Sequence, residues 1–139
     1  MLSRSAKCSL FLAAFVLVPV ARLAVWLLPF RWLARTLGQP GVASGLASEA
    51  EAAVARQAAW AVEWVARAWL MRSSCLVRAS ALQWLLHHRR IPATVHLGTR
   101  RDDRLGLRFH AWVTLNGEIL GRPEAQAWRT INTFAWSPN

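Results

Sequence analysis

Two side chains in this 139-residue chain could work together as an activated nucleophile and its base: the thiol of Cys75 and the imidazole of His110. Cys75 follows Ser73-Ser74, residue types that cap helices, so it falls in the first turn of a helix predicted from about Cys75 to His88. The helix dipole there, with Arg72 and Arg78 on either side, favours thiolate over thiol. His110 stands 35 residues downstream in a predicted strand, Leu107 to Leu115, and is followed by Ala111-Trp112-Val113. An antiparallel sheet packed on that helix can bring strand and helix N-terminus together, which is the arrangement an activated nucleophile and its base require. Each residue alone has a plainer explanation, the cysteine as a small buried hydrophobe and the histidine as a structural one.

Other chemistries find less support. His87 and His88 are adjacent and leave their helix on different sides, and no Cys-x-x-Cys or His-x-x-x-His spacing occurs, so no metal is expected. The chain has neither a glycine-rich phosphate loop nor a Walker pattern, and no cofactor is expected. Cys8 and Cys75 lie in segments of different character, which suits free thiols in a reducing, cytoplasmic setting better than a disulfide scaffold.

The elements that must position Cys75 and His110 follow from pattern. Ser48 with Glu51 makes a capping box for a helix over Ala50 to Leu70, whose Val54, Ala58, Ala61 and Val65 form one face for the core. Glu49, Arg56, Glu63 and Arg67 lie along a polar face, and core packing accounts for the tryptophans of this helix. After the Cys75 helix, Ile91-Pro92 is a stop. Thr94 to Thr99 reads as a strand, Arg100 to Gly106 as a charged turn, and Asn116-Gly117 as a hairpin turn returning through Glu118 to Gly121. Arg122-Pro123 then interrupts, leaving a Trp-containing tail from Ala125 to Asn139. The expected class is α+β, a helical N-terminal half followed by an antiparallel meander.

The front of the chain is the least conventional part. Arg4 and Lys7 precede an apolar run, as in a secretory signal, yet the pattern resumes after Pro19 and Arg22 and continues to Leu37 before Gly38-Gln39-Pro40-Gly41 closes it. A spanning helix would carry Arg22 near its middle at a cost of roughly 2.5 to 3.5 kcal/mol. A kinked helix with Arg22, Arg31 and Arg35 on its polar edge fits better, its apolar face docked on the rest of the domain, on a partner or on a membrane surface. Residues 1–46 are therefore read as an apolar, basic helical region with its linker, and 47–139 as the core of one compact domain. The net charge is +10, and sixteen of the seventeen basic residues are Arg. From Arg72 to Arg108 there are eight Arg and two Asp, either a solvated face or a trough for a peptide or an acidic partner. Nucleic acid is not an expected partner, because no binding motif accompanies the charge.

In combination these features resemble a known family. A helix-starting Cys75-Leu76, a basic turn ending Ile91-Pro92-Ala93, a strand leading to Gly98, then His110-Ala111-Trp112-Val113 and the Asn116-Gly117 turn are similar to the transglutaminase-like, papain-like cysteine protease core. More closely, the chain resembles the stand-alone leader peptidases of lasso peptide biosynthesis, which lack a fused leader-recognition domain. The segment Leu28-Pro29-Phe30-Arg31-Trp32-Leu33-Ala34-Arg35-Thr36-Leu37-Gly38 resembles the helical N-terminus of that family.

The resemblance implies a Cys-His-Asp triad, with Cys75 as nucleophile and His110 as general acid and base. The family Asp follows the His by about twelve residues, a count that falls here on Arg122. A two-residue turn at Asn116-Gly117 pairs Leu115 with Glu118 and puts Pro123 opposite His110, so Glu124 is the first candidate for the orienting carboxylate through a local bulge. Glu118 is too near the turn to be favoured, and Asp102 or Asp103 would need their loop to fold back. The implied function is removal of the leader from a lasso precursor peptide. The implied partners are that precursor, a separate leader-binding recognition protein and an ATP-dependent macrolactam-forming cyclase. The competing reading is a catalytically inactive, basic, membrane-associated binding protein in which Cys75 is inert.

Overall fold

The computed structural model describes residues 3–41, 45–68, 75–102, 106–120 and 129–136. Among these, four helices, with one two-residue strand between the second and the third, are followed by the other four strands of an antiparallel sheet, and the class is α+β as expected.

Helix α1, Arg4–Leu27, is capped by Ser3, whose hydroxyl accepts from the Ala6 N–H. It runs unbroken through Pro19. A proline inside a helix removes a hydrogen bond, but Val18 and Ala21 on either side are fully buried, and that packing carries the helix through. The break falls instead at Pro29, which drives Leu28 into the extended region (φ −96°, ψ 139°) and begins α2, Phe30–Leu37. The expected single kinked helix is thus two helices.

Gly38 and the next two residues are not merely a closing loop. Gln39–Pro40 form β1, a short edge strand paired with Ala135 and Phe134. Gly38 is obligatory at this entry: its φ is +130°, and an added Cβ would lie 2.3 Å from the Ala135 carbonyl oxygen.

Helix α3, Glu49–Ala68, starts at the capping box read from the sequence. The Ser48 N–H donates to Glu51 Oε1 at 2.9 Å, and the Glu51 N–H donates to Ser48 Oγ at 3.1 Å. Its Ala-rich stripe, including Ala55, Ala58 and Ala61, lets α1 and α4 approach closely. Helix α4, Cys75–His88, has the predicted boundaries and sits at the centre, touching the other three helices and strands β2 and β3. Its Gln83, 1% exposed, donates through Nε2 to the carbonyls of Leu37 (2.9 Å) and Ala93 (3.1 Å), tying the end of α2 to the start of β2.

The sheet has the order β1-β5-β2-β3-β4, with β2 Ala93–Asp102, β3 Gly106–Leu115, β4 Glu118–Leu120 and β5 Arg129–Trp136. Strands β2, β3 and β4 make the expected meander. The charged turn is shorter than expected, because pairing continues to Asp102 opposite Gly106. The Trp-containing tail, to which no element was assigned, holds β5, inserted between β1 and β2, so the sheet is more than a meander. Thr130, Ile131, Thr133, Phe134 and Trp136 are strand-forming types, which explains β5. At the hairpin, Asn116 (φ 52°) and Gly117 (φ 81°) take the left-handed conformations of a two-residue turn, with Leu115 opposite Glu118 as expected. The Asn116 side chain also clasps Ala47, accepting from its N–H at 2.9 Å and donating to its carbonyl at 3.0 Å.

Val95, Ala111, Val113, Leu115 and Phe134 join the helices in one core.

Candidate active site

Cys75 is a free thiol, half-buried at the first residue of α4. It lines a cavity of about 80 Å³ together with His110 on β3, so the two residues singled out in the sequence open onto the same space. Arg78, one turn along α4, faces that cavity too, and α3 contributes Glu63. The Arg78 Nε lies 3.6 Å from Glu63 Oε1, with the two side chains 35% and 26% exposed. Arg78 therefore does not bear on Cys75 as an isolated positive charge, as its position in sequence suggested; Glu63 compensates it. Arg72 lies outside the described residues.

Strand alternation decides how His110 is held. Ala111, Val113 and Leu115 point into the core, so His110, Trp112 and Thr114 share the opposite face of β3. The His110 ring stacks on Trp112 at 5.7 Å with the planes 22° apart, and Trp112 stacks on His96 of β2 at 5.4 Å and 6°. Gly98 pairs with His110 in the register, and an added Cβ there would come within 2.7 Å of the Trp112 ring. A side chain at 98 would displace the indole on which His110 rests. His96 Nε2 is in turn 2.8 Å from Thr114 Oγ1. Burial holds the His96 imidazolium below its usual range, so the ring that supports Trp112 stays neutral near pH 7. The cavity is lined by His110 and Trp112 from one side of β3 and by Ala111 and Val113 from the other, which locates it at the strand's edge, with Leu120 of β4 as a further wall.

The carboxylates separate clearly. Glu124 and Asp103 lie outside the described residues, as do Arg122 and Pro123. Asp102 ends β2 opposite Gly106. Glu118 faces Arg56 of α3 at 3.5 Å. Glu63, read as part of the polar face of its helix, is among the described residues the carboxylate on the cavity wall. Its signal in the sequence is indirect: only the packing of α3 beside α4 places that face next to Cys75. Trp112 was likewise missed as a support for His110, although the His-x-Trp spacing on a strand puts both rings on one side.

A family model of the transglutaminase-like superfamily matches residues 15–133. No curated protein and no solved structure matches the chain.

Proposed function

The chain belongs to the transglutaminase-like superfamily, whose members are commonly cysteine peptidases, and from that premise we propose that it is a cysteine peptidase that removes the leader from a lasso precursor peptide. The observation that carries the peptidase reading is the meeting of Cys75 and His110 at one cavity, with the thiol at a helix N-terminus. The lasso assignment rests on the sequence resemblance, from the Cys75 helix through His110-Ala111-Trp112-Val113 and including the basic helical front.

In this reading His110 takes the Cys75 proton and the sulfur attacks the carbonyl carbon joining leader to core. A C–S bond forms while the carbonyl electron pair moves to oxygen. Collapse of the tetrahedral adduct breaks the C–N bond, and protonated His110 gives its proton to the departing amine. The core leaves first, with a free N-terminus. Water, deprotonated by His110, then hydrolyses the thioester and releases the leader as a carboxylate. The freed amine is the nucleophile that a separate ATP-using cyclase needs to close a macrolactam, and a separate leader-binding protein presents the precursor. All of this is proposed to occur in the cytoplasm. Glu124 is proposed to orient His110.

Mass spectrometry of a cognate lasso precursor, incubated with this chain and its leader-binding protein, tests the proposal. Cleavage at the leader-core junction is expected from the wild type, with a loss of at least about a thousandfold in Cys75→Ala and His110→Ala. A smaller deficit is expected in Glu124→Gln. Cleavage that survives Cys75→Ala removes the nucleophile assignment.

A second reading, a membrane-associated binding protein, draws on one feature. The outward side of α1 exposes Leu12, Val16, Leu23, Trp26 and Leu27, and residues 3–41 hold Arg4, Lys7, Arg22, Arg31 and Arg35 with no acidic residue. That combination suits an amphipathic helix lying on anionic lipid. Co-sedimentation with phosphatidylserine vesicles that is unaffected by Cys75→Ala, together with no cleavage of any precursor by the wild type, would put this reading first.

A further inference from the structure

Three concavities follow one another along α3 and share walls. The cavity at Cys75 and the next, of about 420 Å³, have Ala59, Glu63 and Leu120 in common. The second and a third, of about 700 Å³, have Arg56 and Trp60 in common. The first two lie on the β4 side of α3 and the third on its α1 side, so a chain running from Cys75 to the first turns of α1 crosses the outward side of α3 at Arg56 and Trp60.

The chemistry changes along that path. At the near end, charge is balanced within the Glu63–Arg78 pair. The middle is aromatic, with Arg67 also on its wall: Trp60 and Trp64 lie about one helical turn apart on α3 with ring centroids at 6.4 Å, and the Phe11 ring of α1 lies 6.3 and 6.1 Å from them. These two indoles were expected in the core, yet they are 53% and 52% exposed, one residue after the fully packed Ala59 and one before the buried Val65. Half-exposed Trp in a concave site is the kind of side chain that gains most when an apolar group covers it. At the far end Arg4 and Lys7 are exposed on the wall, and no acidic residue is among the described lining residues there. Arg56, which also reaches this end, is compensated by Glu49 at 3.6 Å and Glu118 at 3.5 Å, so Arg4 and Lys7 supply the net charge.

We propose that these three concavities together bind one extended peptide laid across α3, with apolar or aromatic residues beside the scissile bond and an acidic residue further along, held by Arg4 and Lys7. The inference rests on the peptidase reading and adds a substrate class to it. The spacing follows from geometry. From Glu63 back to Ala53, ten helical residues rise about 15 Å, so an extended chain needs at least about four to five residues between the two ends.

Binding is measured on the Cys75→Ala protein, so that cleavage plays no part. The probes are two fluorescein-labelled synthetic dodecapeptides with a central Leu-Phe, one carrying Asp-Asp five positions from it and the other Lys-Lys, followed by anisotropy at low salt. The Asp peptide is expected to bind about tenfold tighter, with the difference shrinking as salt rises. Arg4→Glu with Lys7→Glu, both at exposed positions, should abolish the preference. Trp60→Ala with Trp64→Ala should weaken both peptides about equally, and moving the Asp pair next to the Leu-Phe should lose most of the gain. Equal affinities for the two peptides, or a preference indifferent to Arg4→Glu and Lys7→Glu, overturns the proposal. So does a result in which these two substitutions alter binding to anionic vesicles alone. Failure of the peptidase reading looks different: peptide binding intact, and no cognate precursor cleaved by the wild type.

Discussion

Helices α1 and α4 make an instructive pair. The longer and more continuously apolar of the two, α1, buries only Leu10, Ala14, Val18 and Ala21 out of 24 residues, and leaves Leu12, Phe15, Val16, Val20, Leu23 and Trp26 exposed. Helix α4 is shorter, carries Ser80, Gln83 and two histidines, and buries eight of its 14 residues, including both of those polar ones. Apolar composition therefore does not rank burial in this molecule; the number of sides on which a helix has neighbours does. Helix α4 is enclosed by helices and sheet, and α1 is covered along one stripe. An enclosed helix can fix the geometry of a reacting group at its end, and a helix with a free apolar side is available for contacts outside the chain.

The sharpest way to break that contrast is a matched pair of truncations. Leu85→Ala, at a fully buried site on α4, should cost about 2–5 kcal/mol, whereas Leu12→Ala, 66% exposed on α1, should stay within about 0.5 kcal/mol. Urea unfolding of the two variants measures both, and similar losses would mean that the outer side of α1 is covered in solution. Next in size is Gln83→Leu. It leaves the carbonyls of Leu37 and Ala93 without their shared donor, at an expected cost of about 1–3 kcal/mol. Because Gln83 Oε1 itself has no hydrogen-bond partner in the structure, the loss should fall toward the lower end, and a stabilised variant would show that the orphaned oxygen outweighs the two bonds made.

The smallest effect concerns pH. Burial lowers the pKa of His87 and of His96 from 6.5, and neighbouring His88 lowers His87 further. In both cases the unfolded chain takes up protons before the folded one does. Stability is then complete above about pH 6.5 and declines as pH falls from there through the lowered folded values. The melting temperature should drop between pH 7.5 and pH 5.5, and drop less in His96→Gln with His87→Gln, which keeps polar groups beside Thr114 and Trp136. An unchanged slope in that double variant would show that other groups set the acid sensitivity.

What the sequence made legible were features written in local chemistry. Ser48 and Glu51 named the start of α3, Asn116-Gly117 fixed a register, and Ser73-Ser74 followed by Ile91-Pro92 bracketed α4, because caps, turns and stops act within a few residues of where they stand. Cys75 and His110 were nominated as a pair in the same way, and they do line one cavity. The features that escaped are those set by neighbours distant in the chain. Trp60 and Trp64 have the composition of core residues and became exposed because α1 covers α3 only partly. Glu63 resembled any solvated acid until α4 packed beside it. β5 was passed over because Arg122-Pro123 interrupts the chain before it; Arg129–Trp136 holds strand-forming types, but nothing local names β2 as their partner. Pro19 and Pro29 are equally strong breakers locally, and only the burial of Val18 and Ala21 separates their outcomes.

The clasp between Asn116 and Ala47 gives the hairpin a built-in reporter. The Ala47 amide precedes α3, in the stretch where a helix has no backbone acceptor to offer, and its proton is held by a side chain from the far end of a β-turn, 69 positions away. Whenever the hairpin lifts, that proton becomes free to trade with deuterium from the solvent. Its exchange rate, followed residue by residue, would therefore clock how often β4 and its Leu120 swing away from the space beside Cys75.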